Sequence, residues 1–212
     1  MALLGEGMRI LIFMILLLSS PYLWAEAYCG LRDPVAMISK LYPNYKSYRS
    51  IVRTIDAQTR IKVSEQLPGM PLHFGELGRH TLYVIEAKGM TQGFVHVRSE
   101  QTRWGLVEIA WAIDLDMKII DFQFQRCRHS DRKHLETSIV KSVFQGKSLN
   151  DLMLLYDFNN NKPHSSYYEQ VKHQGDLSDS VLKCAMKTLL VTQIVWQKEL
   201  DSINQSLVNK AP

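Results

Sequence analysis

Three short stretches of this 212-residue chain carry side chains whose types and spacing could do chemistry. Arg103-Trp104-Gly105 sits between two strand-like runs. An indole on a turn can stack on a flat aromatic ligand, the glycine lets the backbone come close, and the guanidinium can hold a phosphate. Cys127-Arg128-His129, with His134 downstream, offers a second guanidinium and several metal-capable atoms. Their spacing matches no structural zinc pattern, so no metal site is assigned. Asp176-Leu177-Ser178-Asp179-Ser180 opens a long apolar segment. The free amides and positive dipole end of a helix starting there suit an anion, and Ser178 and Ser180 would add hydroxyl donors. Asp and Ser at such places are also ordinary helix caps. Asp179 opposes an anion, because a carboxylate about 4 Å from a phosphate is repulsive by about one to several kcal/mol. The candidate binding residues are therefore Trp104, Gly105, Arg128, Ser178 and Ser180, with Arg103 beside them. No catalytic residue is assigned: there is no Gly-rich phosphate loop, nucleophile elbow, paired His on a helix or Cys-x-x-Cys.

The elements that must position these residues follow from apolar periodicity. Val107, Ile109, Trp111 and Ile113 alternate with Glu108, Ala110, Ala112 and Asp114. Ile120, Phe122 and Phe124 alternate with Asp121, Gln123 and Gln125. Such alternation predicts two half-buried strands, with residues 114–118 as the hairpin link. Residues 81–86 and 93–98 read as two further strands turned by Lys88-Gly89, and residues 45–55 read as extended. Asp33 and Pro34 predict a helix start, with Val35, Ile38 and Leu41 as its stripe and Tyr42-Pro43 as its stop. Residues 59–67 form a short helix closed by Pro68-Gly69, and 68–78 a loop. Residues 132–144 read as one helix with Leu135, Ile139, Val143, Val140 and Phe144 on its apolar face and Gly146 as C-cap. Residues 148–156 begin another turn or two. A long final helix, capped by Asp176 or Ser178, carries two adjacent rows: Val181, Ala185, Leu189 and Leu182, Met186, Leu190, Ile194. The fold class is α+β: an antiparallel β-meander whose single apolar face is packed by flanking helices.

The N-terminus has the form of an export signal. Arg9 precedes the apolar run 10–18, Pro21 interrupts it, and Ala25-Glu26-Ala27 is a small-x-small cleavage site. The run is short of the about 20 residues that a membrane span needs. Tyr28 is too large to precede a lipidated Cys29. Cleavage before Tyr28 leaves one domain, residues 28–212, in a periplasm; the alternative is an inner-membrane anchor. Losing Arg9, Glu6 and Glu26 raises the net charge from +4 to +5. The excess forms no basic stripe interleaved with aromatics, which excludes a nucleic-acid surface. Cys29, Cys127 and Cys184 allow one disulfide and leave one thiol over, with the pairing open.

The order of elements, with several local phrases, resembles the FMN-binding domain family. That family includes periplasmic flavin-bearing subunits of the sodium-pumping NADH:quinone reductase and of the Rnf complex, and stand-alone exported flavoproteins. The phrases are Leu41-Tyr42-Pro43 ending the first helix, Gly93-Phe94-Val95-His96-Val97 as a strand, Ile113-Asp114 followed by Lys118-Ile119-Ile120-Asp121-Phe122, and Phe144-Gln145-Gly146-Lys147-Ser148-Leu149. The likeness spans roughly residues 33–196. Family members with covalent FMN carry Asp-x-x-Ser-Gly-Ala-Thr before the last helix, and the flavin phosphate is esterified to that Thr. Here Ser178, Asp179 and Ser180 fall at Ser, Gly and Ala, and Val181 at the Thr; a shift of one residue places Leu182 there. Neither has a hydroxyl, so a covalent bond is not expected. The resemblance implies noncovalent FMN, membrane-associated electron transfer with a membrane redox complex or another periplasmic protein, and no small-molecule substrate. The rival expectation is a cofactor-free periplasmic interaction or assembly subunit that keeps the fold.

Overall fold

The computed structural model describes residues 30–208. The expected signal segment, its cleavage point and Cys29 lie outside the described residues. Five strands form one antiparallel sheet in chain order: β1 (Ser47–Ile55), β2 (Gly78–Ala87), β3 (Met90–Thr102), β4 (Gly105–Ile113) and β5 (Ile119–Arg126). Lys88 and Gly89 both take positive φ in the two-residue β2–β3 turn, as tight hairpins require. Thr102 pairs with Gly105, so Arg103 and Trp104 are the tip of the β3–β4 hairpin.

The helices are α1 (Pro34–Leu41), α2 (Ala57–Gln66), α3 (Arg132–Leu135), α4 (Ser138–Phe144), α5 (Leu149–Met153), α6 (Ser165–Val171), α7 (Asp176–Val195) and α8 (Gln197–Val208). A two-stranded ribbon, β6 (Tyr156–Asp157) with β7 (Lys162–Pro163), follows α5. Asp33 caps α1 by accepting from the Ala36 amide at 3.0 Å, with Pro34 at the first helical position. Asp56 caps α2 through Thr59 N at 2.8 Å, so that helix begins two residues before the expected Thr59. Ser148 caps α5 by exchanging bonds with Asp151. Among the described residues no helix is long and apolar enough to cross a membrane.

The long α7 lies across β3. Trp111, Phe122 and Phe124 of the sheet meet Phe144 of α4 and Val181, Leu182, Ala185, Met186 and Leu189 of α7 in one core. Fully burying side chains of this size contributes about 1.5–3 kcal/mol each. Three expectations are corrected here. The sheet has two apolar faces: Tyr83, Ile85, Val95, Val97, Ala110 and Ala112 form a second cluster beneath Ile38 and Leu41 of α1. Ala110 and Ala112, at the supposedly exposed phase of β4, belong to this second cluster. Ile120 does not share a face with Phe122 and Phe124. Ile113 pairs with Ile119 and Ala112 with Asp121, so Ile120 is the extra residue of a bulge and joins the second cluster. The predicted helix 132–144 is two helices, because Thr137 is extended (φ −70, ψ 153) and restarts the chain at Ser138. Leu135, Val140, Val143 and Phe144 remain buried, while Ile139 is 56% exposed.

Candidate functional site

The β3–β4 tip, the segment after β5 and the start of α7 meet at one end of the sheet. They enclose a cleft of about 610 Å³ lined by Arg103, Trp104, Arg128, His129, Ser130, Asp131, Gln174, Gly175 and Asp176. An adjoining hollow of about 140 Å³ shares Trp104, Arg128 and His129 and adds Gly105 and Arg126. Residues distant in sequence are therefore brought together by topology, because a long β3–β4 hairpin and the β5 exit share the end at which α7 begins.

Trp104 is 68% exposed at the hairpin tip. Its ring is held by the Arg103 guanidinium at 5.5 Å and, edge to face, by His129 at 6.4 Å. The Trp104 amide donates to Thr102 Oγ1 at 3.2 Å, and that hydroxyl donates to the Gly105 carbonyl at 2.7 Å. Gly105 has φ +107, a conformation costly for any other residue, and space beside it is open. The Arg103 amide donates to Asp176 Oδ2 at 2.8 Å, which ties the hairpin tip to the first residue of α7. Arg128 projects from the segment after β5 as an exposed guanidinium.

Asp131 organises the opposite wall. Its Oδ2 lies 2.9 Å from His173 Nε2 and 3.4 Å from His129 Nδ1. Burial acts to raise the carboxyl, but the Ser130 hydroxyl and the two histidines hold it below its ordinary value. The cleft therefore carries a carboxylate at Asp131 as well as at Asp176.

The start of α7 differs from the expected cap. Gly175 is the N-cap, and Ser178 reaches back: its hydroxyl donates to Gly175 O at 2.8 Å and accepts from Gly175 N at 3.2 Å. Ser178 and Ser180 are buried and do not line the cleft, so neither hydroxyl reaches it. The cleft meets Gly175 and Asp176 of this helix start instead. Asp179, expected to oppose an anion, also turns away and accepts from the Tyr168 hydroxyl at 2.9 Å. Burial raises its carboxyl, against the bond from Tyr168 and the charge of Lys183. Val181 and Leu182 are fully buried in the core, so neither alignment places a reactive group at the surface.

Cys127 and Cys184 are free thiols, the first half-buried and the second buried. Burial pushes the Cys127 thiol up. His134 Nε2 meets the Val171 carbonyl at 2.8 Å, and its ring packs on His173 at 5.4 Å. Among the described residues no three His, Cys, Asp or Glu side chains are grouped as metal ligands. Asp131, His173 and Gln174 were missed as site residues. Their only signal in the chain was proximity to Arg128 and to the helix start.

Fold and cleft together describe an α+β domain with a five-stranded antiparallel sheet and an arginine- and aromatic-lined cleft at one sheet end. Comparison with family models, with curated proteins and with solved structures finds no match to this chain.

Proposed function

We propose that this chain is an exported flavoprotein that holds FMN noncovalently in the cleft and passes electrons to a membrane redox partner. The observation that carries the reading is the meeting of Trp104, two guanidiniums and the start of α7 on one cleft of about 610 Å³. That volume is in the range of small-ligand sites. The donor set suits the cofactor's two unlike ends. The Trp104 indole offers a flat face to an isoalloxazine ring. Arg103 and Arg128 offer forked donors to a phosphate, beside the N-terminal end of α7 at Gly175 and Asp176. The resemblance in element order supports the same assignment, as does the meander wound in sequence order. Bound flavin would supply the redox chemistry; the protein would bind, orient and tune it. Val181 and Leu182 carry no hydroxyl, so the flavin is not esterified at either position.

The test is the visible spectrum of the purified protein before and after acid precipitation. Yellow protein that releases its colour to the supernatant is the expected result, and colour retained in the pellet would contradict the noncovalent assignment. Colourless protein that ignores added FMN would overturn the proposal in favour of a cofactor-free interaction or assembly subunit. Trp104→Ala is expected to weaken FMN binding by roughly tenfold, the effect of losing about 1–1.5 kcal/mol of stacking. Unchanged affinity in a fluorescence titration removes the indole from the site.

A further inference from the structure

The sheet face beneath α7 is not uniformly apolar. Past Phe94, the inward positions of β3 are His96, Arg98 and Glu100, and His80 of β2 lies beside them; all four are buried. Glu76, from a 3₁₀ turn at Phe74–Glu76, and Lys187 of α7 complete the cluster. Arg98 Nη2 is 2.8 Å from Glu76 Oε1, and Lys187 Nζ is 3.3 Å from Glu76 Oε2 and 2.9 Å from Glu100 Oε2. The two cations and two carboxylates thus neutralise one another.

The two histidines have no such counter-charge. His80 Nδ1 faces the Arg98 guanidinium at 3.4 Å, a contact that a protonated ring could not accept. His96 Nδ1 meets Thr192 Oγ1 of α7 at 2.8 Å, and its ring packs edge-on against Trp196 at 5.0 Å. Trp196 in turn donates to the Ile51 carbonyl of β1 at 3.2 Å. The rings of His80 and His96 are 6.2 Å apart, and the Nε2 atom of each is buried without a hydrogen-bond partner. Protonating either ring would place a further positive charge in a water-poor layer already occupied by Arg98 and Lys187.

We propose that this histidine pair makes the packing of α7 against the sheet, and the cleft that the start of α7 helps to form, acid-labile. Burial first, and then the charge of Arg98, hold His80 down to about 3, against a hydrogen bond to the Glu76 backbone that acts to raise it. The same causes, with His80 itself, hold His96 well below its ordinary value. The folded state therefore binds fewer protons than the unfolded chain. Stability is complete above about pH 6.5 and is lost as pH falls below that value. The remaining charged and titratable neighbours do not reproduce this effect. The Cys184 thiol on α7 is pushed up to about 12 by burial and stays neutral. Burial raises Glu100 against the pull of Lys187, with His73 also lowering it, so its protonation stabilises the fold on acidification and subtracts from the effect. Tyr156, raised by burial to about 12, stays neutral as well.

Each histidine makes the folding constant fall by up to about tenfold per pH unit. From pH 7.5 to 5.5 the pair should lower it by roughly a hundredfold. The experiment is urea unfolding of the intact protein at both pH values, for wild type and for His80→Gln, His96→Gln and the double variant. The expected result is a pH effect reduced by about tenfold in each single variant and by about a hundredfold in the double. A double variant with the wild-type pH dependence overturns the proposal. Should the double variant not fold, the ring C–H resonances of wild type decide. Two histidines that stay neutral in the folded protein down to pH 5 support it, and seven that all titrate near pH 6.5 sink it. None of these readouts involves flavin, so the outcome is separate from that of the cleft.

Discussion

Lys187 shows what a single side chain does in this molecule. Its ammonium is buried at 2% exposure between Glu76 and Glu100, and it donates to Glu100 Oε1 at 3.1 Å and Glu76 Oε2 at 3.3 Å. A buried ion cluster of this kind is weak support for stability as a whole, because desolvation offsets the attraction. Removing one member is costly, because the partners stay buried and unpaired. Lys187→Met keeps the stem's volume and deletes the charge together with its hydrogen bonds to Glu76 and Glu100. It is expected to destabilise the protein by about 3–5 kcal/mol at pH 7, measured by chemical denaturation. The sign of its pH dependence is fixed by Glu100, which burial already raises. Without the cation that carboxyl rises further, and the folded variant takes up a proton that the unfolded chain lacks. The difference between variant and wild type at equal pH should therefore shrink from pH 7 to pH 5. A penalty that grows on acidification would mean that the carboxylates are paired elsewhere.

At the scale of elements, the sheet was legible because its strands obey period-2 alternation and its turns carry the residues turns need, such as Lys88-Gly89. What was not legible depended on register. Ile120 looks like one more alternating apolar residue, and only the pairing of Ile113 with Ile119 shows it to be a bulge. His96, Arg98 and Glu100 continue the inward phase of Phe94, yet their types suggest a surface strand, since charged residues are rarely fully buried unless paired. Their partners Glu76 and Lys187 come from distant parts of the chain. The cleft divides likewise: Trp104 and Arg128 could be nominated by type, whereas Ser178 and Ser180 were nominated by type and are turned inward by the cap geometry at Gly175. One close approach fixes how α1 meets the sheet. The Tyr42 hydroxyl donates to the Ile113 carbonyl at 2.7 Å over Gly93, whose φ is +151. A Cβ at Gly93 would collide with both the Ile113 carbonyl oxygen and the Tyr42 hydroxyl. Tyr42→Phe should cost about 1 kcal/mol, and Gly93→Ala about 1–3 kcal/mol, by thermal unfolding. Equal Tm values for Gly93→Ala and wild type would show that the α1 contact does not hold this geometry.

Across the whole molecule, α7 connects core and cleft, since its middle is buried on β3 and its first residue ties down the β3–β4 hairpin. The tie is the bond from the Arg103 amide to Asp176 Oδ2, and it positions Trp104 from outside its own hairpin. The same carboxylate places a negative charge in a cleft assigned to an anionic ligand, so its two effects on binding oppose each other. Two substitutions separate them. Asp176→Ala removes acceptor and charge together: amide exchange at Arg103 and Trp104 should quicken while that of α7's buried middle is unchanged. FMN affinity should then fall, because the indole is no longer fixed. Asp176→Asn keeps an acceptor at the same reach without the charge. Exchange at Arg103 should stay slow, and FMN should bind several-fold more tightly, as expected from removing about 1 kcal/mol of repulsion at a solvent-accessible site. If both variants bound FMN as wild type does while Arg103 exchange quickened in Asp176→Ala, the tie would be real but the flavin would lie elsewhere. If exchange did not change in either, the hairpin tip would be held by its own turn, through Thr102 and Gly105 alone.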